Sequence, residues 1–263
     1  MKVLGVGDPH GVLLKRTPKN IDLILVTGDV GKADLARQRV FENLERKRKK
    51  LSELEEDKKF IKNVFMEIHN STIKVLKNLS KSAPVYTIQG NVGIPTFSDV
   101  RKNKEKYGIT LPCTKKQIDV MSRAKIVKNR LKILNDLRVG FLEYFVDTSW
   151  VREFKPTDYK KKLSDAKKQT DKAKKILKRF GKIDILVCHQ PPYGNLDKVT
   201  AKFAPKLWRG KHAGSKVILD YIKKYQPKYV FCGHIHEGEG KKKIGKTEVY
   251  NLGVGSHVLL DIE

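Results

Sequence analysis

The sequence lacks any long apolar run. None of its 263 residues sits in a stretch near the roughly 20 consecutive apolar residues that a membrane helix needs, so no spanning segment and no membrane partner are expected. Cysteine is scarce and odd in number: Cys113, Cys188 and Cys232 show no CxxC spacing, and two of them lie inside apolar strand-like runs. That excludes a disulfide framework and predicts reduced, buried thiols. Acidic residues are in deficit, 29 against 56 Lys and Arg, which leaves a formal charge of +27. Such a field attracts polyanions and anionic substrates. The chain shows neither a nucleic-acid module nor aromatics interleaved with its basic residues. A polyanion partner and a plainly solvated lysine surface both stay open at this point. Internal repeats and Gly/Ser linkers are also missing, so the reading is one domain over 1–263. The opening MKVLGVGDPHG enters a strand pattern at once without a signal-peptide layout, which points to the cytosol.

What the chain does have is a series of short β-branched runs, each ending in a small or polar cluster. They are KVLGVGD (2–8), IDLILVTGD (21–29), PVYTIQGN (84–91), IDILVCHQPP (183–192) and KYVFCGHIH (228–236). Continuous apolar runs of this length suit strands buried on both faces. Between them lie helix-like segments. The stretch 33–81 has no Gly or Pro and spaces Val40, Leu44, Leu51, Leu54, Ile61, Phe65, Leu76 and Leu79 at helical intervals. A single helix of that length would be too long for a compact domain, so an amphipathic pair is predicted, turning near Leu54–Lys59. A lysine-rich helix is expected over Pro156–Phe180, closed by Gly181, and another over Ser215–Tyr225, ended by Pro227. Alternating strands and helices make an α/β fold. A hairpin turning at Asn135-Asp136 and further strands near 249–262 imply a second sheet. The stretch 101–128 reads as a basic surface excursion without periodicity.

Every one of the five apolar runs delivers chemistry at its carboxyl end. The first gives Asp8 and His10, the second Asp29, the third Asn91, the fourth His189, and the fifth His234 and His236. In parallel α/β sheets ligands gather outside that edge. Carboxylate oxygens mixed with imidazoles suit Mn, Fe, Zn, Co or Ni. Residues spaced i, i+2 on an extended exit, as in Asp8/His10 and His234/His236, point the same way. Taken singly, an Asp-x-His or a lone histidine means little. Taken in this order, the set predicts a dinuclear metal centre.

The ordered set GDPHG … GDVG … GN … H … GHIH resembles the calcineurin-like metallophosphoesterase superfamily, from residue 2 to about 255. Within it, residues 211–240 are similar to the small branch that includes cyclic-nucleotide phosphodiesterases. The resemblance implies a four-layer αββα sandwich with two mixed β-sheets. It implies one divalent metal on Asp8, His10 and His236, a second on Asn91, His189 and His234, and Asp29 bridging the two. Manganese is the first expectation, with Fe, Zn, Ni, Co or Mg as alternatives. The implied activity is hydrolysis of a phosphomono- or phosphodiester, a nucleotide or small diester foremost, by a hydroxide shared between the metals.

One position departs from the pattern. Most of the superfamily is similar to Gly-Asn-His-Asp/Glu after the third strand, and that histidine assists the leaving group; here Val92 follows Asn91. General acid help is typically worth about 10²–10⁴-fold, so diesters with good leaving groups are favoured over monoesters. His212, in the Gly-rich stretch WRGKHAGS (208–215), is the candidate substitute catalyst and substrate contact, with Asn91 beside it in the catalytic set. Ser215, at the start of the next helix, is a candidate phosphate contact or simply an N-cap. His69 is expected on the surface of the helical insert and His257 in a structural position at the last strand. Two other readings remain: a scaffold member weakened by Val92, and a nuclease suggested by the basic charge.

Overall fold

The computed structural model describes residues 1–202 and 204–262. Two sheets form its centre. The five-stranded sheet takes β1 (Lys2–Val6), β2 (Leu23–Val26), β3 (Val85–Thr87) and β4 (Ala124–Ile126) in parallel order, with β11 (His257–Asp261) antiparallel on the outer side of β1. The six-stranded sheet runs β5 (Arg130–Leu134), β6 (Leu137–Leu142), β7 (Ile185–Cys188), β8 (Tyr229–Cys232), β10 (Thr247–Asn251) and β9 (Gly240–Ile244). Its four inner strands are parallel, and β5 and β9 close it as antiparallel edges.

Side-chain alternation assigns each strand face to a layer. Along β2, Leu23 and Leu25 join Val3, Phe141, Val187 and Phe231 in the layer between the sheets. Ile24 and Val26 turn the other way and pack with Val75, Leu76 and Leu79 of α2 (Lys58–Leu79). Leu142, Leu186, Cys188 and Cys232 face Ile176, Leu177 and Phe180 of α6 (Tyr159–Phe180) and Ile218 and Ile222 of α7 (Lys216–Tyr225). The order of layers is therefore helix, sheet, sheet, helix. Because both faces of the inner strands are covered, their sequences read as unbroken apolar runs. Each fully buried Leu, Ile or Phe of these layers contributes about 1.5–3 kcal/mol relative to exposure. Cys188 and Cys232 are buried free thiols, and Cys113 is a half-buried one.

The helical insert differs from its expected form. Residues 33–81 fold as α1 (Asp34–Arg48) and α2, with the break running through 49–57. Only α2 is amphipathic. Every residue of α1 keeps contact with solvent, and Val40, Leu44 and Leu51 are exposed. Polar contacts hold α1 in place: Arg39 lies 3.9 Å over the Phe60 ring, and the Leu35 amide donates to Glu67 at 3.1 Å. The stretch 101–128, expected as a basic surface excursion without periodicity, holds most of α3 (Phe97–Tyr107), α4 (Thr114–Asp119) and β4. A Thr96/Asp99 capping box starts α3 and Gly108, at φ 67°, ends it. His69 is buried rather than at the surface: its Nδ1 stands 2.8 Å from Thr114 Oγ1 and so ties α2 to α4. His257 does begin β11, with its side chain exposed.

Candidate metal centre

The strand order brings the carboxyl ends of β1, β2, β3, β7 and β8 to one rim. Two groups of side chains there have ligand atoms within 4.8 Å of one another: Asp8, His10 and His236, and Asp8, Asp29 and His189. Asn91 meets the remaining histidine. Its Oδ1 is 2.7 Å from His189 Nε2 and 2.8 Å from His234 Nδ1. The structure thus collects all seven of the side chains that the strand ends delivered.

Local backbone explains how they get there. His10, Asp29 and His234 all have left-handed backbone, at φ 45°, 33° and 65°. Non-glycine residues adopt that region at a cost of order 1–3 kcal/mol each, and they do so mostly where a surrounding fold imposes it. The sharp turns swing each side chain back over the strand end. Gly90 and Gly233 provide the room. A Cβ on Gly90 would overlap Asp29 Oδ1, and one on Gly233 would stand 2.6 Å from the Asp8 carboxylate.

Hydrogen bonds then fix the orientations. The Thr27 hydroxyl donates to Asp8 Oδ1 at 2.6 Å, and the His234 amide donates to Asp8 Oδ2 at 2.6 Å. The Val92 amide donates to Asp29 Oδ1 at 2.7 Å. That bond is what position 92 supplies here, through its backbone. His189 Nδ1 lies 3.1 Å from the Thr27 carbonyl. A proton on Nδ1 makes that bond and leaves Nε2 as the ligand atom, the usual outer-shell arrangement for a metal-binding histidine.

The electrostatics are strongly perturbed. Burial works to raise Asp8, but the charges of His189 and His236 and their hydrogen bonds outweigh it and hold the carboxyl well below its usual range. Burial, opposed by His189 and reinforced by the Asp8 charge, pushes Asp29 up to about 6. Burial would depress His189, yet the Asp8 and Asp29 carboxylates lift it to about 9. Burial brings His10 down to about 4, against the pull of Asp8, and with the His189 charge it holds His234 well below the ordinary imidazole value. Such divergence within one cluster is a mark of a functional site.

The donor set fits cations. His10 Nε2 and His236 Nε2 confront each other at 3.3 Å, two ring nitrogens aimed at the same space. Asp29 Oδ2 stands 3.8 Å from His10 Nε2 and 3.7 Å from His189 Nε2, and Asp8 belongs to both groups. A carboxylate flanked on both sides by imidazole nitrogens, with a neutral amide oxygen nearby, is chemistry that suits divalent metals.

A family model for the calcineurin-like phosphoesterases matches residues 1–238. The chain belongs to this family. One solved crystal structure superposes with a TM-score of 0.59 at 16% identity, covering 99% of this chain and 94% of that one. The phosphopantetheinyl hydrolase from Mycobacterium tuberculosis superposes with a TM-score of 0.52 at 15% identity, covering 97% and 89%. No curated protein matches the chain. The two mixed sheets with helices on both sides are the fold of this phosphoesterase family, and among the described residues no helix is long and apolar enough to cross a membrane.

The remaining candidates separate. His212 donates from Nδ1 to Asp197 Oδ1 at 2.8 Å, with the Tyr193 ring 5.3 Å away. Asp197 is buried and also accepts from the amides of Gly194 and Gly214, so one carboxylate fixes the whole loop that carries His212. Ser215 is not open to a phosphate. It is fully buried as the N-cap of α7, its hydroxyl donating to Asp147 Oδ2 at 2.6 Å and accepting from the Ile218 amide. Asp147 also receives the Val217 amide at 3.3 Å, so a carboxylate already fills the anion position expected at that helix end. Sequence reasoning missed Thr27, Asp147, Asp197 and Tyr144. For Tyr144 a signal existed: it follows the carboxyl end of β6 by two residues, the same edge rule that found the other groups.

Proposed function

We propose that this chain is a dinuclear metallophosphoesterase favouring phosphodiesters, with nucleotides and other small diesters as its substrate class. The observation that carries this reading is the position of Asp29 Oδ2, 3.8 Å from His10 Nε2, which groups with Asp8 and His236, and 3.7 Å from His189 Nε2, which meets Asn91. In this assignment Asp8, His10 and His236 would hold one cation and Asn91, His189 and His234 the other, with Asp29 available to both. Manganese is the first cation to try, and the family supplies the expectation of divalent metals. When bound, a cation pair supplies Lewis acidity toward phosphoryl oxygens and lowers the pKa of water.

The chain's own residues do the rest. Thr27 and the His234 amide lock the Asp8 carboxylate, and the Val92 amide locks Asp29. Among the described residues two carboxylates, Asp8 and Asp29, line the site, and Asn91 adds an oxygen without charge. Loaded with two divalent cations, the site is net positive and attracts an anionic ester. His212, held by Asp197, is proposed on the substrate side. Val92 brings no imidazole, which supports esters whose leaving groups need little protonation.

The test is hydrolysis of bis(p-nitrophenyl) phosphate against p-nitrophenyl phosphate by the manganese-loaded chain. The diester is expected to turn over faster, and His189→Ala is expected to lose at least about 10²-fold, since even outer-shell changes at metal sites cost 10–100-fold. A chain that takes up manganese yet cleaves neither ester refutes the proposal.

A further inference from the structure

Tyr144 stands among the candidate ligands without an assigned task. Its amide donates to the Gln89 carbonyl at 3.0 Å, which pins this loop of the six-stranded sheet to the Gly90-Asn91 turn of the other. Its ring meets His189 edge-on, with centroids 5.6 Å apart and planes at 88°, and lies tilted toward His234 at 5.3 Å and 47°. Several polar atoms of the cluster are already committed. Asp8 is held by Thr27 and the His234 amide, Asp29 by Val92, and Asn91 Oδ1 faces His189 and His234. The Tyr144 hydroxyl has no hydrogen-bond partner among the described residues, and the side chain is half-buried rather than sealed off. A half-buried phenol whose ring packs against two imidazoles carries a hydroxyl that costs desolvation unless something accepts its proton.

Resting on the phosphoesterase reading, we propose that Tyr144 is a substrate-contacting residue whose neutral hydroxyl donates a hydrogen bond to a phosphoryl oxygen of the bound ester. It supplies a donor at the site where Val92 offers only a backbone amide already given to Asp29. No proton is transferred in this role. A bond from a neutral donor to a charged phosphoryl oxygen is worth enough to change affinity by about tenfold or more.

Tyr144→Phe keeps the ring against His189 and His234 and removes only the hydroxyl, whereas Tyr144→Leu removes the ring as well. Manganese content by elemental analysis, inorganic phosphate affinity of the manganese-loaded full chain by calorimetry, and kcat/KM for bis(p-nitrophenyl) phosphate separate the roles. The expected result is unchanged manganese content in Tyr144→Phe, with phosphate affinity and kcat/KM each about tenfold lower. If wild type binds phosphate but hydrolyses no ester, and Tyr144→Phe still weakens phosphate, the contact stands and the phosphoesterase reading falls. Phosphate affinity within twofold of wild type in Tyr144→Phe overturns the contact, as does wild type that binds no phosphate. So does a loss of manganese in Tyr144→Leu with phosphate binding intact in Tyr144→Phe, which leaves the ring as packing alone.

Discussion

The two sheets contribute different chemistry to the same rim. The five-stranded sheet delivers both carboxylates, Asp8 and Asp29, together with Asn91 and a single imidazole, His10. The six-stranded sheet delivers His189, His234 and His236 and no carboxylate. Neither could assemble the site alone, because each close-set group of ligand atoms mixes the two: Asp8 and His10 with His236, Asp8 and Asp29 with His189. Hard oxygen and borderline nitrogen donors come together only if the sheets pack in one register. The apolar layer that holds Val3 and Leu25 against Phe141 and Phe231 is therefore part of the site's construction.

The comparison breaks most completely at Asp29, whose Oδ2 stands 3.8 Å from His10 Nε2 of one sheet and 3.7 Å from His189 Nε2 of the other. Asp29→Ala is expected to abolish diester hydrolysis, by at least about 10²-fold, with cation stoichiometry by elemental analysis falling below that of wild type. Next comes the layer between the sheets. Phe231→Ala is expected to destabilise the chain by about 3–5 kcal/mol in urea unfolding, and at sub-denaturing urea to lose manganese before secondary structure. Thr27→Val leaves every ligand in place and removes one orienting bond to Asp8; cation affinity by competition titration should weaken about tenfold. A pH series sharpens the contrast between the sheets. His189 holds its proton up to about 9 because the Asp8 and Asp29 carboxylates of the other sheet attract it. A cation must displace that proton, so manganese affinity should rise with pH between 6 and 9, by up to about tenfold per unit for one proton released. The smallest effect belongs to the exposed helix α1: Arg39→Ala removes the contact over Phe60 and should cost no more than about 1 kcal/mol, leaving activity unchanged.

The meeting of these seven side chains at one rim was legible from sequence because its determinants are local. An apolar run stops, a glycine follows, and a polar side chain appears at a strand end; the parallel topology does the rest. The layered architecture was legible for the same reason, since strands covered on both faces leave unbroken apolar runs such as Ile24 to Val26. What could not be read depends on partners far away in the chain. Helical spacing of Val40, Leu44 and Leu51 mimics an apolar stripe, but no sheet faces it, and these residues stay in water. His69 is buried by Thr114, 45 positions on, and Ser215 is claimed by Asp147, 68 positions back. The elements of 97–126 were hidden because short helices of mixed charge carry little periodicity, and β4 becomes a strand only by pairing with β3.

Three of the side chains at the rim stand on left-handed backbone, at His10, Asp29 and His234. A fold that holds its reactive groups this way is least secure where it is most useful. Amide hydrogen exchange in those turns should run faster than in the strands just upstream, and uptake of manganese should slow it there selectively. The cations would then complete the protein mechanically as well as chemically.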